Sequence, residues 1–210
     1  HDLTGTLWSA RLLRDDPAAI RDVHAAYFRS GATVGISASY QASRSGFLAH
    51  GLDADEADRL LALSVSLVRE ARESVAAEGV ERTMLVAASV GPYGATLHDG
   101  SEYRGRYGVD HGFLVDFHRG RLDVLVAAQP DLLAIETVPS AAEAEALLVE
   151  VAELRLPAWL SMTADGALTR TGERLDEVFT MAAEVLTVIA VGANCCSRAG
   201  IEAAIAAASV

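Results

Sequence analysis

The sequence contains no lysine at all; its 17 basic side chains are all arginines, set against 29 carboxylates. That absence excludes Schiff-base aldolase chemistry, a pyridoxal-phosphate anchor and a phosphate-binding P-loop, each of which is built on a lysine amine. Cysteine is nearly as scarce, with only the adjacent pair Cys195 and Cys196. Two neighbours cannot make the framework of bridges that staples small secreted domains, so the chain reads as a protein of a reducing compartment, the cytoplasm. Apolar runs of the roughly 20 residues that a bilayer span needs are missing as well. The opening HDLTGTLWSARLLRDD lacks the basic-then-apolar order of a secretory signal. A formal net charge of -12, with no basic cluster to reverse it locally, argues against nucleic acid and anionic membrane as partners. No GxGxxG opens a helix after a strand-like run, which removes the usual dinucleotide fingerprint. Oligomeric state leaves no mark on the sequence.

What is present is the material for one large core: 210 residues, 51% of them hydrophobic, read as a single domain over 1–210. Asp16 followed by Pro17 signals a helix start, and AAIRDVHAAYFRS continues it to Gly31. A β-branched run, TVGISAS at 33–39, comes next, then a long helix over 55–77 with leucines at helical spacing and Gly79 at its end. The apolar run MLVAASV at 84–90 predicts a buried strand, and a helix follows over 110–128. The cycle continues with strands at 131–137, 158–163 and 187–194 and helices at 141–153, 175–185 and 197–208.

Five strands apolar on both faces, separated by helices, describe a parallel sheet covered by helices. Polar residues and glycines gather just after each strand: Ser39-Tyr40-Gln41, Gly91-Pro92-Tyr93-Gly94, Glu136-Thr137, Thr163 and Asn194-Cys195. Such positions converge in a (β/α)8 TIM-type barrel, which is therefore preferred to a doubly wound sheet. An eightfold barrel usually takes about 250 residues. The barrel expected here is incomplete, without its first strand and its last ones.

Several residues at the strand exits carry potential chemistry. Cys195 and Cys196 either both pack as small buried hydrophobes or, because one of two adjacent residues leaving a parallel strand must point to the barrel mouth beside Asn194, offer a thiolate that can bind zinc. No histidine lies at ligand spacing to complete such a site. Glu136 leaves the apolar run LLAI, so its carboxylate needs a partner or a substrate ammonium. The loop LHDGSEYRGRYG at 97–108 is long, polar and aromatic, and suits either a substrate lid or an ordinary solvated connection.

Taken together, LWSARLL (7–13), SASYQAS (37–43), SVGPYGA (89–95), DGSEYRG (99–105), IETVPS (135–140) and VGANCCS (191–197) resemble the homocysteine S-methyltransferase family. The closest likeness is to its S-methylmethionine-dependent branch. The resemblance implies a (β/α)8 barrel in which three cysteine thiolates hold zinc and the homocysteine sulfur takes the fourth position. By position it makes Cys195, directly after Asn194, the metal ligand and catalytic residue. It makes Glu136 the acid that holds the substrate amino group, and sets Ser37, Ser39 and Asn194 around homocysteine. The other two ligands come from a G-G-C-C motif in that family, and nothing here matches it; the D-G-(G/A) segment of its first strand is absent too. The implied reaction moves a methyl group from S-methylmethionine, or S-adenosylmethionine, to homocysteine and yields methionine. The alternatives are a homocysteine methyltransferase of the same fold that takes betaine or methyl-cobalamin, and a non-catalytic fragment that binds no metal.

Overall fold

The computed structural model describes residues 8–209. Leu7, which opens the LWSARLL segment, the six residues before it and Val210 lie outside that span. The described chain forms two compact units, one of residues up to Ser89 with Arg121–Leu132, the other of Val90–Gly120 with Leu133 onward.

The first unit begins with a 3₁₀ turn, Trp8–Arg11, then α1 (Leu12–Asp15), α2 (Pro17–Arg29), β1 (Val34–Ile36), α3 (Arg44–Ala49), α4 (Ala54–Ala77) and β2 (Leu85–Val90). The C-terminal part of α5 (His111–Ala127) belongs to it. The Asp16 carboxylate accepts from Ala19 N at 3.2 Å, which caps α2, and Pro17 fills the first helical position where no N–H is needed. Asp53 caps α4 in the same way, accepting from Glu56 N at 2.8 Å. β1 and β2 pair in parallel, with Val34 opposite Leu85. Apolar side chains at helical spacing on α4, Leu60, Leu61, Val65 and Val68, are all at most 2% exposed. Leu60 and Leu61 pack in a core with Leu13, Ile20 and Phe47.

Gly35 in β1 is a packing requirement of this unit. A Cβ there would lie 2.6 Å from Val68 Cγ1 and 2.7 Å from Phe28 Cζ, so α2 and α4 approach the strand as closely as its bare backbone allows.

The second unit carries 3₁₀ turns at Tyr93–Leu97 and Ser101–Tyr103, the first part of α5, β3 (Leu132–Val138), α6 (Ala141–Glu153) and β4 (Ala158–Met162). It continues through the short strands β5 (Ala164–Asp165) and β6 (Leu168–Thr169), then α7 (Leu175–Ala183), β7 (Val188–Ala193) and α8 (Arg198–Ala207). β4 lies between β3 and β7, parallel to both, with Leu133 opposite Ala158 and Leu160 opposite Val191. Leu133, Ala134 and Ile135 are all fully buried, as consecutive residues of a strand covered on both faces must be. Ser140 caps α6 by accepting from Glu143 N at 3.2 Å, and Ala144, Leu147, Leu148 and Val151 form its buried stripe.

Three local features differ from the sequence reading. β1 is shorter than the expected strand over 33–39, although Ser37 N still donates to Ala87 O at 2.9 Å. β5 and β6 form an antiparallel hairpin turning at Gly166, whose φ of 60° suits glycine; two residues per strand are too few to show alternation. The loop over 97–108 is not wholly solvated: Ser101 and Glu102 are 6% and 8% exposed. No helix among the described residues is long and apolar enough to cross a membrane.

Replacing Gly35 by alanine is expected to destabilise the protein by roughly 1–3 kcal/mol, the usual cost of forcing a methyl group into a filled core. Urea denaturation of the variant measures this directly. Unchanged stability would mean that Phe28 and Val68 withdraw freely.

Candidate active site

β7 ends at Ala193, and the next residue organises the neighbouring strand ends. Asn194 Oδ1 accepts from Thr137 N at 2.9 Å and from Ser161 Oγ at 3.0 Å, while its Nδ2 donates to Thr137 Oγ1 at 2.9 Å. One side-chain amide thus joins β3, β4 and the exit of β7, and the three bonds fix which of its ends is oxygen.

Two residues here hold a backbone conformation that side chains normally avoid: Thr137 has φ 63° and Cys195 has φ 49°. For a β-branched threonine this is a true outlier, and each such residue costs on the order of 1–3 kcal/mol. The pairing of β3 with β4 breaks register between Ile135 and Val138, so Glu136 and Thr137 occupy the break. The break re-aims the side chains at the strand exit.

The Cys195 thiol is exposed. Thr137 Oγ1 and Asn194 Nδ2 donate toward its sulfur at 3.8 and 3.7 Å. The Cys195 carbonyl accepts from Thr163 Oγ1 at 3.1 Å, and Arg170 Nε donates to that same hydroxyl oxygen at 3.2 Å. Tyr103 lies within reach of this sulfur: partial burial, and next the negative charge of Cys195, raise its phenol pKa above the ordinary value. Cys196 is directed elsewhere, its sulfur lying 3.3 Å from where a Cβ on Gly200 would sit, at the start of α8. The two adjacent thiols therefore part company.

Glu136, Asn194 and Cys195 all belong to the second unit, linked through Thr137, and Glu136 is half-buried in the strand break. Ser37 and Ser39 belong to the first unit, at 4% and 0% exposure. Their hydroxyls form a closed set with Ser89. Ser39 Oγ donates to Ser89 O at 2.7 Å, Ser89 N donates to Ser37 Oγ at 3.0 Å, and the two hydroxyls lie 2.7 Å apart. Because the Ser39 proton is committed to the carbonyl, Ser37 must donate to Ser39. Both serines can still accept a hydrogen bond but have none left to give.

The sequence reading missed a buried polar network. Glu143, fully buried on α6, accepts from Tyr93 N at 2.5 Å, Tyr107 Oη at 2.9 Å and His118 Nε2 at 3.0 Å. Burial first, and then the Glu143 charge, push the Tyr107 phenol far above its normal range. Tyr93 also stacks edge-on against Tyr107, Phe113 and Phe117. The only local signal was the S-x-x-E spacing of Ser140 and Glu143, which marks a helix start but not where the carboxylate turns. This network anchors the 93–107 segment, and Gly94 lets it close: a Cβ there would lie 2.6 Å from Glu102 N and from Tyr107 Cε1.

Among the described residues no group of three or more His, Cys, Asp or Glu side chains is placed to hold a metal ion. Cys195 offers one thiolate, and a tetrahedral zinc site needs three further donors. Beside Tyr103 opens a cavity of about 550 Å³, lined also by Arg106, Asp165, Thr169 and Arg170.

The profile of the homocysteine S-methyltransferase family matches residues 1–210. Homocysteine S-methyltransferase 2 of Zea mays is 45% identical over 205 residues, covering 92% of this chain and 60% of its own length. Homocysteine S-methyltransferase of Escherichia coli K12 is 44% identical over 207 residues, covering 97% of this chain and 67% of its own. The crystal structure of the E. coli homocysteine methyltransferase MmuM in its metallated form superposes with a TM-score of 0.92 at 44% identity, over 98% of this chain and 72% of that one. The chain thus spans about 60% of the length of its maize relative. The parallel strands and intervening helices are part of an α/β barrel of that type. Matched by the family profile along its whole length, the chain belongs to the homocysteine S-methyltransferase family.

Proposed function

We propose that the protein containing this chain is a cytoplasmic, zinc-dependent enzyme of methionine formation that transfers a methyl group from a sulfonium donor to homocysteine. The donor is S-methylmethionine or S-adenosylmethionine. The observation that carries this reading is the exposed Cys195 thiol, held in a left-handed conformation with two hydrogen-bond donors aimed at its sulfur. A cysteine that only fills space needs none of these.

In this reading Cys195 is one ligand of the zinc, and the other cysteine ligands lie outside the span matched here. Zinc, when bound, lowers the pKa of the homocysteine thiol, which near 8.5 is mostly protonated at neutral pH, and so supplies the nucleophile. Asn194 and Thr137 hold the Cys195 sulfur in place, and their N–H and O–H groups stabilise its negative charge. Glu136 accepts the hydrogen bonds of the homocysteine ammonium. Ser37 and Ser39, with no proton to give, serve the substrate only as acceptors. A sulfonium donor leaves as a neutral thioether, so no general acid is called for. This agrees with the burial of the His118–Glu143 pair in the second unit, at 0% exposure each.

In the full-length protein, Cys195→Ser is expected to lower zinc content and reduce methyl transfer by more than about 100-fold, beyond what loss of a supporting residue usually costs. Cys196→Ser should leave both unchanged. Metal analysis with a homocysteine methylation assay checks the pair, and a Cys195→Ser enzyme that keeps its zinc and its rate would overturn the assignment. Separately, Glu136→Gln should raise the KM for homocysteine about 10- to 100-fold, the range for loss of a charge-assisted hydrogen bond, with zinc content unaltered. An unchanged KM would remove Glu136 from the substrate site.

A further inference from the structure

Glu102 is the buried acid of the second unit, among the described residues, that the foregoing chemistry leaves unused. It lies in the 3₁₀ turn Ser101–Tyr103 and is 8% exposed, yet its buried Oε2 has no hydrogen-bond partner. The neighbouring cation does not neutralise it: Arg104 pairs with Asp99 at 3.2 Å and donates to Ser101 Oγ at 2.9 Å. Tyr107, whose phenol feels the Glu102 charge, gives its proton to Glu143. The turn cannot back away, because Gly94 packs against the Glu102 backbone where not even a methyl group fits. A buried carboxylate oxygen without a partner is unfavourable and calls for a donor or cation from elsewhere. The next residue, Tyr103, lies beside the Cys195 sulfur and also lines the 550 Å³ cavity. On that cavity Arg106 and Arg170 have no acidic partner among the described residues; they hydrogen-bond only to Thr171 O and to Thr163 Oγ1.

We propose that Glu102 is the recognition residue for the positive charge of the methyl donor, its buried carboxylate facing the sulfonium that will deliver the methyl group. Arg106 and Arg170 line the cavity beside Tyr103, next in sequence to Glu102, and are placed to receive the donor's carboxylate. This deepens the methyl-transfer reading given above and rests on it. Its consequence is directional. Once the methyl group has moved to the homocysteine sulfur, the donor sulfur is a neutral thioether, and Glu102 no longer attracts it. The residue therefore favours donor over spent donor and lets the product leave. Because the positive charge is already dispersing in the transition state, the contact is stronger in the ground state, and it shows mainly in donor binding rather than in the rate of the bound complex.

The test uses the full-length, zinc-loaded protein without homocysteine, so that nothing turns over. Dissociation constants are measured by calorimetry for S-methylmethionine against methionine, and for S-adenosylmethionine against S-adenosylhomocysteine, in wild type and in Glu102→Gln. Wild type should prefer the sulfonium in the pair it uses, and Glu102→Gln should weaken sulfonium binding about 10-fold or more while changing thioether binding less than about twofold. In turnover the donor KM should rise with kcat nearly constant, and the homocysteine KM should not move. Removing an unpaired buried charge should also leave the melting temperature equal or higher. Equal weakening of both ligands, an intact sulfonium preference, or a lowered melting temperature would each overturn the role of Glu102. A wild-type protein that methylates homocysteine from neither sulfonium overturns the methyl-transfer reading itself.

Discussion

Three hydrogen bonds from one amide hold the second unit's chemistry in place. Asn194 binds the backbone and hydroxyl of Thr137 and the hydroxyl of Ser161, and flanks the cysteine that follows it. Thr137 and Cys195 both sit in the left-handed region, where neither would rest unaided. A net contribution of about 1 kcal/mol per hydrogen bond is of the same order as the strain in those two residues. The exits of β3 and β7 are thus kept bent by the fixed position of Asn194, and the bend turns a strand end into a presented sulfur.

Much of this arrangement could be read before any coordinates. The helices are announced by local chemistry, Asp16 with Pro17 for α2 and Ser140 for α6, and the structure shows both caps made. The buried strands are runs of apolar residues too uniform for an amphipathic helix, and the exits of β3 and β7 are where Glu136, Asn194 and Cys195 stand. What stayed hidden depends on contacts far apart in sequence. Nothing local in DGSEYRG says that Glu102 is buried while Asp99 and Arg104 are exposed, because that follows from Gly94 and from Tyr107 tied to Glu143. Likewise the hydroxyls of Ser37 and Ser39 look like generic polar lining until Ser89, 50 residues beyond Ser39, is seen to take their hydrogen bonds. The choice between two adjacent cysteines was open on spacing alone. Coordinates part them, one sulfur toward Thr137 and the other toward Gly200.

The buried His118–Glu143 pair shows why a buried, partnered acid is an ambiguous signal. In another enzyme such a pair would invite assignment as acid and base. Here both side chains have 0% exposure, and Glu143 already accepts from Tyr93 N, Tyr107 and His118. Three of its acceptor sites are used in holding the 93–107 segment. The group is a scaffold for the turn bearing Glu102 and Tyr103.

The contrast between Glu143 and Glu102 gives a physical rule for reading this unit. Both are buried carboxylates within one compact body, but the first has donors on both oxygens and the second has an oxygen with none. A carboxylate with donors on both oxygens contributes to the folded state. One with a buried, unpartnered oxygen destabilises the fold, and such a cost persists in a protein mainly where a ligand relieves it. If the methyl donor carries its positive charge on sulfur, then the same charge that makes a general acid unnecessary also supplies the missing partner. In the proposed reaction, the lack of need for a general acid and the presence of an unpaired buried acid are two consequences of one property of the donor.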